Sequence, residues 1–238
     1  MIEPSDADRR WREVYDARRA LFERHFGPVP REATGLRNLA QVWPGGCLLQ
    51  LTGPGSGHVT ASFGLTNADM PADRRSVVAA READTPEGLS DTQLAELLAI
   101  PERTAAEGVA GYGYELLVRT YTREFWPLMF LNWAVQAEIL YDGGLLERVR
   151  ELGAVTVEGV GLAEDGASDF LIAPADPPLP GTLELPNGRM HLLVAMTVTH
   201  EELELSIAEG VGALRRLLDA EGVGQFSQLG RPSAVPPG

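Results

Sequence analysis

The chain has 238 residues, 44% hydrophobic and 23% charged, enough for one sizeable core or two small ones. Its formal net charge is −14, and all 20 basic residues are arginine. Such a chain lacks the broad basic footprint of a nucleic-acid binder, and without lysine it has no Schiff base and no phosphate-loop lysine.

The acidity itself serves solubility or draws in a basic partner. Met1–Arg10 is charged and has no apolar stretch, so no signal peptide is expected, and no apolar run approaches the roughly 18 residues of a membrane span. Cys47 is the single cysteine, which forbids an internal disulfide and fits a soluble, cytoplasmic protein. Beside two glycines, it reads as a small buried hydrophobe.

An amphipathic helix is predicted over Asp6–Phe26. Trp11, Val14, Tyr15, Leu21, Phe22 and Phe26 keep helical spacing, and only Arg18 interrupts the stripe. Ser5 or Asp6 caps it, and Gly27-Pro28 stops it. Cys47–Leu51 and His58–Leu65 then read as a hairpin through the turn Thr52–Gly57. No Lys-Ser or Lys-Thr follows that glycine-rich turn, and Ser56 lies directly between two glycines, so neither a phosphate loop nor a nucleophile elbow is present.

Asn67–Glu87 is polar, contains Pro71 and Pro86, and reads as a loop with some short structure. Leu89–Ile100 is a helix with Ser90 as cap and Pro101 as stop. Gly113–Thr122 alternates as a strand, with Tyr114, Leu116, Val118 and Thr120 on one side. Glu115, Leu117, Arg119 and Tyr121 take the other. Glu115 and Arg119 share that face and are predicted to pair through a neighbouring strand.

Phe125–Tyr141 is the most apolar stretch, predicted as a helix buried on most sides with Pro127 in its first turn. Leu145–Leu152 continues it after Gly143-Gly144. Ala154–Val160 and Asp169–Ala173 are strands. Thr182–Leu185 and Arg189–Val198 form a hairpin around Pro186-Asn187-Gly188. Thr199 and Glu202 make a capping box for a helix to Ala220, with Leu203, Ile207, Val211, Leu214 and Leu218 on one face. Ser227–Gly238 is rich in Pro and Gly and expected to fray. With no repeat and no linker, the expectation is one α/β domain over residues 1–226, a mixed sheet flanked by helices, and a flexible tail over 227–238.

Chemistry-bearing motifs are sparse. The 4 histidines, His25, His58, His191 and His200, form no zinc pattern, and His200-Glu201-Glu202 opens a helix whose dipole favours acids. Gly111-x-Gly113 and Gly159-x-Gly161 are too short for a dinucleotide fingerprint. No metal, cofactor or catalytic residue is assigned. An enzyme of unrecognised type stays open, because 34 acids allow many carboxylate pairs.

Three segments in order carry a resemblance. The first is His58-Val59-Thr60-Ala61-Ser62-Phe63-Gly64-Leu65-Thr66. The second is Gly111-Tyr112-Gly113-Tyr114-Glu115-Leu116-Leu117-Val118-Arg119, followed by Trp126-Pro127. The third runs from Asp176-Pro177 through Pro186-Asn187-Gly188 to Val198-Thr199-His200-Glu201-Glu202-Leu203. Together they resemble the suppressor of fused family over residues 35 to 220.

That resemblance implies a mixed sheet flanked by helices, binding of protein partners, and no catalytic residue or cofactor. The animal family member has a second, C-terminal domain and grips a partner peptide between the two by strand addition. This chain is expected to match the short, single-domain bacterial form, many examples of which are regarded as immunity proteins against a cognate toxin. Many toxins that act on nucleic acids are basic, and an acidic inhibitor would be steered toward one. Residues expected to meet the partner are His58, Phe63, Tyr112, Glu115 and Arg119. Glu115 and Arg119 are read first as a buried structural pair. Gly111 and Gly113 are expected to form a tight turn before the strand. A peptide strand added along a sheet edge is the alternative mode of binding. The partner's identity and the oligomeric state stay open.

Overall fold

The computed structural model describes residues 5–31, 33–53, 57–83, 85, 89–163 and 166–236. Helix α1 (Asp6–Phe26) has the predicted bounds: Ser5 closes a capping box with Asp8, and Gly27 ends the helix at positive φ. Its buried side chains are Val14, Arg18, Phe22 and Phe26, so the charge that interrupts the stripe goes inward with it.

Strands β1 (Cys47–Thr52) and β2 (His58–Phe63) pair antiparallel, from Cys47–Phe63 to Thr52–His58. The turn residues Pro54, Gly55 and Ser56 lie outside the described residues. The segment expected as a loop holds helix α2 (Arg74–Ala83), opened by the Asp73 carboxylate on the Ser76 N–H at 3.0 Å. Pro71 lies before this helix and does not interrupt it. Helix α3 (Asp91–Leu97) begins at a reciprocal Ser90–Gln93 cap.

Next come β3 (Val109–Thr120), α4 (Trp126–Tyr141), α5 (Leu145–Leu152), β4 (Val155–Ala163), β5 (Gly166–Pro174), β6 (Thr182–Leu185) and β7 (Gly188–Val198). Pro127 sits in the first turn of α4, where the missing N–H has no helical partner to lose. Thr199 and Glu202 form the predicted capping box of α6 (His200–Glu209). The single helix expected to Ala220 is broken at Gly210 (φ 86°), and α7 (Val211–Ala220) follows. That break keeps Leu203, Leu214 and Leu218 buried and leaves Ile207, predicted inward, 71% exposed.

The sheet has the order β1-β2-β3-β7-β5-β4, with β6 also paired to β7. β3 and β7 are parallel, and the other pairs are antiparallel. Alternation along β7 shows why both faces are covered: Leu193 and Ala195 pack with α4 and α5, while Leu192 and Val194 pack with α1 and α7. This is the α/β class expected, a mixed sheet flanked by helices.

β3 starts four residues before the predicted onset, because Gly111 and Gly113 lie inside the strand instead of in a turn before it. At φ 56° and 83° they absorb the register shift between Val109 and Tyr114 against β7. A Cβ on Gly111 would stand 2.4 Å from the Leu65 carbonyl oxygen.

The C-terminal stretch packs more closely than its composition suggests. Ser227 is buried; its N–H donates to the Arg119 carbonyl at 2.7 Å, and its hydroxyl accepts from the Thr197 N–H at 3.1 Å. Arg231 donates to both carboxylate oxygens of Glu202, at 2.6 and 2.5 Å. Among the described residues, no helix is long and apolar enough to cross a membrane.

Candidate partner-binding site

The five residues singled out in the sequence do not form one surface. Phe63, Tyr112, Glu115 and Arg119 are buried, and His58 is half-buried at the start of β2. Glu115 and Arg119 do not pair. They are four residues apart on one strand, about 13 Å along it, and each has a different partner. Arg119 lays its guanidinium 4.1 Å from the Phe226 ring centroid.

Glu115 is the hub of a buried polar network. Where β2 parts from β3, Ser62 Oγ donates to Glu115 Oε2 at 2.7 Å and accepts the Leu116 N–H at 2.9 Å. Glu115 Oε1 accepts the N–H groups of Gly64 and Thr66 at 2.9 and 3.1 Å, and the Thr66 hydroxyl at 2.7 Å. Its counter-charge is Arg18 from α1, with Nη1 3.8 Å away. Arg18 also donates to Asn67 Oδ1 at 2.6 Å and lies 4.2 Å from the Phe63 ring centroid. The network ties α1 and the turn after β2 to the centre of the sheet. Every one of these groups is buried, so none meets a partner in this state. Cys47 lies at its margin. Burial pushes its thiol up to about 11, against the pull of Arg18, so it is a poor nucleophile.

The two sheet edges differ. On β1, Thr34 exchanges backbone hydrogen bonds with Leu48 at 3.0 and 2.9 Å. Among the described residues, no strand pairs with β4 on the side away from β5. A bulge at Gly159, whose N–H is taken by the Asp169 carboxylate at 2.8 Å, irregularises the second half of β4. Val155–Val157 keep regular pairing and lie beside α4.

Against α4 are two adjoining hollows of about 280 and 300 Å³, the first beside that stretch and the second reaching β4 at Gly161. Both are lined by Trp133, Ala137 and Tyr141; one adds Val155, Thr156 and Val157. Trp133 is 40% exposed and Tyr141 52%. α4 is buried on most sides, as expected, and its remaining side is one stripe, Met129, Trp133, Ala137 and Tyr141, spaced by four residues. The sequence held a signal for it. Asn132 and Gln136, joined by a hydrogen bond at 2.9 Å, are polar positions beside that stripe in a helix whose other polar side chain away from the tip is the buried Glu138.

The acid under these hollows is already committed. Glu138 accepts the Tyr114 hydroxyl at 2.8 Å and the Leu145 N–H at 3.1 Å, and pairs with Arg103. Burial, reinforced by the Glu138 charge, pushes the Tyr114 phenol well above its ordinary value, so it stays a donor. This geometry suits apolar and backbone contact more than proton transfer.

The sequence matches the model of the family described as suppressor of fused protein (SUFU) over residues 57–232, well over half its length. The chain belongs to that family. Its fold is similar to that of a SUFU homologue from Neisseria gonorrhoeae, at 15% identity and a TM-score of 0.56, covering 97% of this chain and 99% of that one. It is also similar to a chain in a crystal structure of the Sufu–Fu complex, at 18% identity and a TM-score of 0.51, covering 94% and 92% respectively. No curated protein sequence matches it. Of the buried network, Ser62, Gly64, Thr66, Asn67 and Glu115 lie within the matched residues, and Arg18 lies before them.

Proposed function

We propose that this SUFU domain is a non-enzymatic protein-binding module that receives an extended segment of its partner along β4. The observation that carries the reading is the juxtaposition of an unpaired edge, Val155–Val157, with the exposed rings of Trp133 and Tyr141. A strand added there gains main-chain hydrogen bonds from the edge. Its side chains on the α4 face enter the hollows, where large aromatic groups supply most of the contact energy. The Sufu–Fu complex supports the general reading, since that homologous domain is found with a protein partner.

A second, narrower reading makes the partner a basic toxin and this chain its cytoplasmic immunity protein. The net charge of −14 supports it, because opposite charge speeds encounter and disfavours acidic competitors.

Co-expression with the product of the adjacent gene, followed by size-exclusion chromatography and hydrogen exchange on the complex, tests both. Protection confined to β4 and α4 is expected. A complex that leaves the β4 amides exchanging as in the free protein overturns the edge reading. Failure of co-expression to relieve any toxicity of the neighbour overturns the immunity reading alone.

A further inference from the structure

The break at Gly210 creates a surface that the β4 reading does not use. It leaves Ile207, the most exposed large apolar side chain among the described residues at 71%, on the outer side of α6. On the same exposed side are His200, Glu201, Glu204 and Ala208. Segment Ser233–Pro236 runs alongside and completes a groove of about 720 Å³. Its walls are Glu201, Glu204, Leu205, Ala208, Val235 and Pro236, together with Ser233.

The second wall is anchored. Fully buried Glu202 holds Arg231 and accepts the Ala234 N–H at 2.7 Å. Thr199 Oγ1 donates to Ser233 Oγ at 3.0 Å. The lining is therefore apolar with two carboxylates, and no basic side chain is part of it. Glu201 sits in the first turn of α6, and hydrogen bonding from its own N–H and from Thr199 holds its carboxyl below the ordinary carboxylate value. Glu204 lies 3.5 Å from the exposed His200.

We propose that this α6–C-terminal groove docks a basic, apolar-centred segment of a protein partner: an aliphatic side chain over Leu205, Ala208 and Val235, flanked by arginine or lysine on Glu201 and Glu204. Charge complementarity selects that occupant. An acidic segment would meet two like charges at close range, and a purely apolar one would partly desolvate both carboxylates with no gain of counter-charge. Main-chain pairing plays no part, so the site stands independently of β4.

The test uses the full chain and a fluorescent peptide of alternating leucine and arginine, compared with its leucine–glutamate counterpart, by anisotropy at two salt concentrations. The arginine peptide is expected to bind in a salt-sensitive manner and the glutamate peptide not to bind. Glu201→Gln with Glu204→Gln should weaken binding about tenfold, as should Leu205→Ser with Val235→Ser. Glu13→Gln with Asp16→Asn removes the same charge from the exposed side of α1 and should leave binding within about twofold. Equal losses from the α1 pair and the α6 pair would show only the general attraction of an acidic protein and overturn the proposal. So would equal binding of the two peptides.

Discussion

The Glu115 network and the α4–β4 groove lie in the same sheet and obey opposite rules. Around Glu115, a carboxylate and a guanidinium are buried together, and the charges persist only because four donors to the carboxylate, the Asn67 acceptor for the guanidinium and a ring face are placed around them. That demand fixes residue types: serine at 62, threonine at 66, asparagine at 67, and no side chain at 64. In the groove, nothing is buried without a partner. Trp133 and Tyr141 need only an apolar helix and an open neighbour. Motif-like sequence thus gathers where folding is demanding, and the groove is marked in the sequence only by two neighbouring polar residues, Asn132 and Gln136.

The largest effect should come from breaking the first region. Glu115→Ala leaves Arg18 as an uncompensated buried charge and strands the Gly64 and Thr66 N–H groups. Stability should fall by about 3–5 kcal/mol in chemical denaturation. Arg18→Met should cost less, because Glu115 keeps its four hydrogen bonds. A Glu115→Ala loss below about 1 kcal/mol would mean the network is dispensable. Gly111→Ala comes next. It forces an L-residue to φ 56° and drives a Cβ to 2.4 Å from a backbone oxygen that cannot swing away, for roughly 1–3 kcal/mol of conformational strain before the collision is counted.

These same residues show what was readable in the chain. Period-2 and helical spacing located α1, the two hairpins, β3, α4 and α5 within a few residues, because burial of one face leaves a linear imprint. The partner of Glu115 was misread as Arg119. Strand alternation says which face a charge occupies, whereas Arg18 reaches it from another layer. Gly111 and Gly113 suggest a turn because a glycine pair serves a turn and a bulge equally well. The exposed stripe of α4 was hidden for a different reason. An apolar residue facing solvent and one facing the core are the same letter, and only the neighbouring Asn132 and Gln136 hint at the difference.

A smaller, pH-dependent effect should appear at Glu202. Burial raises its pKa, but the Arg231 guanidinium and the N–H groups of Ala234 and Thr199 outweigh that and hold it below the ordinary 4.5. A depressed folded-state value means the contribution is fully present above pH 4.5 and drains away as pH falls through the folded value. Arg231→Ala should lower stability at neutral pH by about 1–3 kcal/mol and flatten the decline on the acid side. If the variant's acid profile runs parallel to the parent's, the bridge is not what anchors the C-terminal segment.

The smallest effect on folding should come from the second region, and there the comparison is sharpest. Trp133→Ala and Tyr141→Ala remove half-exposed rings from the groove, so each should shift stability by about 0.5 kcal/mol or less. If β4 and α4 receive the partner, the same changes should weaken that complex by about tenfold or more, since a desolvated aromatic anchor carries a large share of contact energy. Glu115→Ala, assayed at a temperature where it remains folded, should do the reverse, with low stability and near-parental affinity. A crossed result, with the groove variants unfolding the domain or Glu115→Ala abolishing binding in the folded protein, would mean the two regions are coupled. The division between a motif that folds and a surface that binds would then not hold.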